Sequence, residues 1–364
     1  DALRLLDEAV AVRSQDAASW NAIGEMYLRI GETNRAVSAF RESLRIDQSE
    51  PDARMNLAQY YLDSDQQSRA LDLLGSMIEA GIEAPRVRYL NARALLGQRA
   101  FDRAVEELLV LQEAEPRNAD YLFLMGRVHF EAGNFLPARA QFVRAWEEAP
   151  TMEAAQYYIG RTDLELGQYN EAITSLTSVA HRSPRGDYHY YLGVALEKGG
   201  QPAAALAEYD TTVNGDIAWS LENPEVFTRR GRLYFMRGAL GAAYRDLRTA
   251  LVLRPADAEA AYLLGRVHYD DRRYDDAIAS FDTAIAIADV EPRAHYFAAL
   301  SYLRFTPPRL AAALPHLESA RDAGFGADTP DSLQKLAYVY RDLGRLGDAA
   351  DALDAFIQAA NLPY

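Results

Sequence analysis

Apolar and small residues recur along this chain with the spacing of paired amphipathic helices. The first clear block reads Trp20-x-x-Ile23-Gly24-x-x-Tyr27, followed by Ala36 and Phe40. Side chains three and four residues apart share one helix face, so each half of the block puts an apolar stripe on an otherwise polar helix. The block returns in degraded form about every 34 residues to the end of the chain. Aligned on the small residue of the first helix and the alanine of the second, the chain holds ten complete repeats. They begin near Ala17, Pro51, Pro85, Ala119, Glu153, Gly186, Pro224, Ala258, Pro292 and Pro330.

The paired small positions run from Gly24/Ala36 through Gly126/Ala138, Gly193/Ala205 and Gly265/Ala277 to Ala337/Ala349. They are small because two helices cross there at close approach. The large positions Phe40, Leu74, Leu108, Phe142, Leu176, Tyr209, Leu247, Phe281, Leu317 and Leu353 are expected to fill the groove against the next repeat. Pro116, Pro150, Pro184 and Pro255 follow second helices, where proline stops a helix without removing an internal hydrogen bond. Gly31, Gly133, Gly167 and Gly238 fall between the helices of a repeat, as a tight turn asks.

This signature and its period resemble the tetratricopeptide repeat (TPR) family. The resemblance implies an all-α fold, a right-handed α-solenoid superhelix of stacked helix–turn–helix repeats, running as one array over residues 1–364. It also implies protein–protein interaction, because nearly the whole length builds one binding surface and none remains for a separate catalytic domain.

Residues 1–16 read as a half-repeat, a lone second helix with Ala2, Leu6 and Ala9 at its packing positions. The carboxyl end, Phe356 to Tyr364, shows no extra solvating helix. Solenoids end in polar-faced caps, so the chain reads as a piece of a longer protein, with a natural half-repeat cap as the alternative. The sixth repeat carries about four extra residues around Asn214–Asn223, and the ninth about two around Phe305–Pro308. Such insertions map to loops. A joint is therefore expected at 213–223, with Trp219 as a contact anchor or folded back under its own loop.

In proteins of the family, first helices line the concave face, and the fifth and ninth residues of each repeat point into the groove. Here the fifth positions include Tyr89, Phe123, Tyr157, Tyr190, Thr228, Tyr262 and Tyr296. The ninth include Arg93, Arg127, Arg161, Arg232 and Arg266. The pairs Tyr89/Arg93, Phe123/Arg127, Tyr157/Arg161 and Tyr262/Arg266 set a guanidinium beside a ring, one helical turn apart. Arginine offers a planar fork for carboxylates or carbonyls, and the rings offer rigid apolar contact. Such a ladder suits an extended or acidic peptide. A competing use of the arginines is pairing with the second residue of the next repeat: Asp120 for Arg93, Asp187 for Arg161, Glu259 for Arg232. Arg127 and Arg266 face Ala154 and Arg293 by that rule, which singles them out for ligand contact. The family subclass that clamps chaperone tails has lysine and asparagine at these positions, so capture of such tails is disfavoured.

Composition narrows the partner. The net charge of −15 repels nucleic-acid phosphates. No apolar run approaches the roughly 20 residues of a bilayer span, which predicts a soluble protein without membrane insertion. Cysteine is absent, which removes disulfides, thiolate metal sites and cysteine nucleophiles. Lys198 and Lys335 are the only lysines, an arginine and alanine bias that suits a high-GC bacterial genome. No leader is visible, so the expected compartment is cytoplasmic, or periplasmic if a signal or lipidation segment was removed.

Chemistry is not legible. The six histidines show no His-x3-His or His-Glu-x-x-His spacing, and no phosphate-binding Gly-x4-Gly-Lys-Ser/Thr loop occurs. His129 and His268 take a signature tyrosine position and are expected in the core. No catalytic residue, metal or cofactor is expected. The leading reading is a non-catalytic scaffold or adaptor binding a partner protein or peptide in its groove. One alternative is a docking platform for a small Ras-like GTPase or pilus and polarity machinery, through ends and loops. Another is the regulatory arm of a larger enzyme whose catalytic domain lies outside this chain, and a third is an outer-membrane assembly lipoprotein whose lipidated cysteine would precede the present start.

Overall fold

The computed structural model describes residues 15–287, 292–325 and 329–360, together with Leu6, Glu8 and Val10. Among the described residues there are twenty-one helices and no strand. They fall into two compact units, residues 1–179 and 180–364. The boundary lies within the last turn of a helix, and residues 213–223 lie inside the second unit.

The first unit holds α1 (Ala17–Arg29), α2 (Thr33–Ile46), α3 (Pro51–Asp63), α4 (Gln67–Glu79), α5 (Pro85–Gly97), α6 (Phe101–Ala114), α7 (Ala119–Glu131), α8 (Phe135–Glu148), α9 (Glu153–Glu165) and most of α10 (Tyr169–Ala180). The second holds α11 (Gly186–Lys198), α12 (Pro202–Gly215), α13 (Ile217–Glu222), α14 (Glu225–Met236), α15 (Leu240–Leu253) and α16 (Ala258–Asp270). It continues with α17 (Tyr274–Ile287), α18 (Pro292–Leu303), α19 (Leu310–Asp322), α20 (Pro330–Asp342) and α21 (Leu346–Ala359). Within each unit, consecutive helices pack as hairpins and each hairpin packs on the next.

Local chemistry sets the boundaries. Asp16, Asn118 and Asp257 cap α1, α7 and α16 by accepting from backbone N–H groups of the first turn. Pro51, Pro85, Pro202 and Pro330 open first turns, where the missing N–H costs nothing. The hairpin turns need a left-handed residue. Gly133 takes it at φ +79°, whereas Asp65, Arg99 and Arg272 take the same place with a side chain.

The small-and-large pairing works within a repeat before it works between repeats. A methyl on Gly265 would lie 2.5 Å from the ring of Phe281, the large residue of the same hairpin. The same fit joins Gly126 to Phe142 and Gly193 to Tyr209. The large residues thus have a second contact besides the one expected against the next repeat. They make both: Phe142 stacks on Tyr158 at 5.1 Å and Phe281 on Phe297 at 6.2 Å between ring centroids. The volumes compensate, since every aromatic large residue faces a glycine and Ala58 and Ala92 face leucines. Phe40, Phe142, Tyr209 and Phe281 are fully buried, each contributing about 2–3 kcal/mol of transfer free energy.

Leu353 departs from this series. It is 41% exposed, because no further described helix covers α21 on that side. Leu6 is buried against Trp20, Ile23 and Tyr27. Ala2 and Ala9, and the last residues 361–364, lie outside the described residues.

The sixth-repeat insertion is not a loop. Asp216 caps the short helix α13 by accepting from the Trp219 backbone N–H at 3.1 Å, and Trp219 packs its indole on Tyr190, 5.2 Å between centroids. The ninth-repeat insertion is a loop, residues 304–309. No described helix is long and apolar enough to cross a membrane.

Candidate partner-binding face

The fifth-position rings are packed, not presented edge-on to solvent. Tyr157, Tyr190, Tyr262 and Tyr296 are buried, and Tyr89 and Phe123 are half-buried. Tyr89 lies 5.8 Å from Tyr121, Phe123 5.6 Å from both Phe142 and Tyr158, and Tyr296 5.2 Å from Phe325. Burial pushes the phenols of Tyr89, Tyr190 and Tyr296 upward. These rings form the floor of the first-helix face, and the ninth-position arginines lie over it.

The arginines divide by what surrounds them. Arg93 donates to Gln59 at 2.9 Å and reaches Asp63 at 3.4 Å, both in the preceding repeat, in place of the expected Asp120. Arg161 lies over Phe130 at 5.0 Å, Tyr158 at 5.6 Å and Tyr157 at 5.7 Å. Arg232 is paired with Glu197 and stands 4.0 Å from Glu259, the acid its spacing singled out. Arg127 lies over Tyr158 at 4.9 Å, and among the described residues Glu131, at 3.9 Å, is the one carboxylate within ion-pair distance. Arg266 lies over Phe297 at 3.8 Å and Phe235 at 5.2 Å, and donates to the Tyr262 hydroxyl at 3.2 Å. The Nε atoms of Arg127 and Arg266 are buried without an acceptor.

Two positions that sequence reasoning passed over explain this division. The ring that carries a ninth-position arginine comes from the sixth residue of the next repeat: Tyr158 for Arg127, Phe297 for Arg266. The residue on its other side is the twelfth of the preceding repeat: Phe130 for Arg161, Glu197 for Arg232, Phe235 for Arg266. The signal was present as one repeat length less three residues, ahead of the arginine and behind it. It has meaning only once the stacking offset between neighbouring first helices is known.

Glu197 anchors a dense polar cluster. It accepts from Arg232, from the Tyr209 hydroxyl at 2.8 Å and from Arg229 at 3.4 Å, and Arg229 also binds Glu225 at 2.7 Å and Tyr190 at 3.2 Å. Nearby, Thr228 donates to Asp257 at 2.8 Å. Burial works against the Asp257 carboxylate, yet hydrogen bonds from Arg254, Ala260 and Thr228 hold it below the usual range. Burial pushes Asp163 and Asp246 upward, but each is engaged by an arginine, Arg139 at 2.5 Å and Arg230 at 2.7 Å. Among the described residues no group of three or more His, Asp and Glu could hold a metal ion. His268 is buried, and burial followed by nearby Arg273 lowers its pKa; His129 is half-buried and lowered by burial.

A repeated helical hairpin with a small–large interlock and a first-helix face of rings and guanidiniums defines a class of repeat protein, and the comparisons agree. The tetratricopeptide repeat model matches residues 1–51, 157–222 and 228–292, half of the chain, and the chain belongs to that family. Residues 100–179 match the model of anaphase-promoting complex (cyclosome) subunit 3. The chain is similar to Superkiller complex protein 3 of Mus musculus, 23% identical over 332 residues, covering 77% of this chain but only 21% of that protein. It is also similar to the TPR repeat-containing protein YpiA of Bacillus subtilis (strain 168), 20% identical over 313 residues, covering 76% of this chain and 73% of that one. A mouse and a bacterial relative together leave the expected bacterial origin without support. Among solved structures, the apo form of RapI matches with a TM-score of 0.58 at 13% identity, covering 85% of this chain and 97% of that one, a likeness of fold.

Proposed function

We propose that this chain is a non-catalytic scaffold or adaptor that holds a partner protein or an extended peptide along its first-helix face. The observation that carries this reading is found in each unit by itself: ninth-position guanidiniums laid over aromatic rings, Arg127 and Arg161 in the first unit and Arg266 in the second. Arginine and tyrosine concentrate binding energy at interfaces, and rings that hold an arginine still lower the entropy lost when it engages a ligand. The name of the mouse relative, a complex protein, fits a scaffold. The test is affinity capture from lysate with wild type beside Arg127→Glu/Arg266→Glu, with circular dichroism showing both folded. A partner held by wild type and lost by the variant supports the face. A partner held equally by both sinks it.

One feature favours a second mode. On α13, Ile217 and Leu221 are 53% and 48% exposed on a helix that the repeat pattern does not require. A globular partner, such as a small Ras-like GTPase, would dock there and be lost on Ile217→Asp/Leu221→Asp while the ladder variant still held it.

A further inference from the structure

Arg266 differs in kind from its neighbours on the same face. Its guanidinium is fixed between Phe297 and Phe235, with Tyr262 taking one Nη1 proton. Its Nε is buried without an acceptor, and no carboxylate among the described residues lies within ion-pair distance of it. A guanidinium carries five N–H donors in one plane, and a carboxylate is the group whose two oxygens match that fork. Cation–ring contact supplies attraction but accepts no hydrogen bond along the edge of the plane. The Nη edge of the Arg266 guanidinium, apart from the proton given to Tyr262, is therefore unspent.

The acids on the neighbouring repeats are engaged elsewhere: Glu197 holds Arg232 and Arg229, and Glu259 holds Arg293 at 3.2 Å and stands 4.0 Å from Arg232. We infer that Arg266 is the carboxylate-receiving point of the partner-binding face, and that the segment bound on the second unit is an acidic peptide. Phe235, Phe297 and Tyr262 are the positioning residues that hold the fork for it. This assignment rests on the face being a binding surface at all.

The experiment measures anisotropy of fluorescein-labelled hexaglutamate, hexaglutamine and hexalysine with the full chain. Hexaglutamate is expected to bind, and hexaglutamine and hexalysine not. Arg266→Gln should weaken hexaglutamate about tenfold, the scale of a charge-assisted pair. Arg266→Lys keeps the charge but not the fork and should also weaken it, by about threefold or more. The exposed Arg41→Gln, in the other unit, should leave it unchanged. Equal binding of hexaglutamate and hexaglutamine, or equal loss in Arg41→Gln and Arg266→Gln, overturns the assignment. The two levels separate cleanly. If Arg127→Glu/Arg266→Glu abolishes partner capture but hexaglutamate ignores Arg266, the face stands and the carboxylate assignment falls. If capture also ignores the double variant, the face itself falls.

Discussion

Arg232 and Arg266 occupy the same repeat position, one repeat apart, and have opposite fates. Arg232 meets Glu197 across the stack and becomes part of a cluster that also holds Arg229 and Tyr209. Arg266 meets Phe235 at the equivalent place and is held by rings with its fork open. For this pair, the twelfth residue of the preceding repeat makes the difference between a guanidinium paired with an acid and one held by rings. The ladder read along the chain is thus not uniform. Some arginines are paired internally, and others are held by rings.

Removing the acid from the closed site should have the largest effect. Glu197→Ala takes the acceptor from the Tyr209 hydroxyl and the shared carboxylate from Arg229 and Arg232, and urea unfolding should show a loss of about 3 kcal/mol. A loss below about 1 kcal/mol would mean that water replaces the carboxylate, and the closed site would lose its structural standing. Next comes the support beneath the open site. Gly265→Ala drives a methyl into Phe281, which stacks on Phe297, so a cost of about 2 kcal/mol should appear together with weaker hexaglutamate binding. Stability loss with unchanged binding would show that Phe297 holds Arg266 without help from Phe281.

Converting the open site to the closed kind sharpens the contrast most directly. Phe235→Glu copies Glu197 beside Arg266 and should cut hexaglutamate affinity about tenfold, with stability changed by less than about 1 kcal/mol. Unchanged affinity would mean that the twelfth position does not make that difference.

Acid should produce a smaller and graded effect. Burial holds His268 and His316 below their ordinary value of 6.5, with Arg273 adding to the effect at His268 and His295 at His316. The unfolded chain therefore takes up protons first, so stability is complete above about pH 6.5 and falls as pH drops below it. The thermal midpoint should be flat from pH 8 to 7 and decline toward pH 5. His268→Gln/His316→Gln should flatten that decline, and an equal decline in the variant would place the acid sensitivity elsewhere.

The pattern of Gly24, Gly126, Gly265 and their large partners made the hairpins legible, because close approach of two helices is a local requirement that each repeat must meet from its own residues. The turns were legible for the same reason, at Gly31 and Gly133. The insertion was readable as an insertion but not as a helix. Its cap, Asp216, acts only once α12 has ended and the chain has turned back over Tyr190.

Sequence alone determined the family, the repeat register and which residues reach the first-helix face, since these follow from a periodicity that every repeat enforces. Tertiary structure decided which arginine is spent and which is open. Those partners, Tyr158, Phe297, Glu197 and Phe235, come from the neighbouring repeats. Their meeting depends on how far one hairpin is offset against the next, a quantity fixed by packing and not by the order of residues in either repeat.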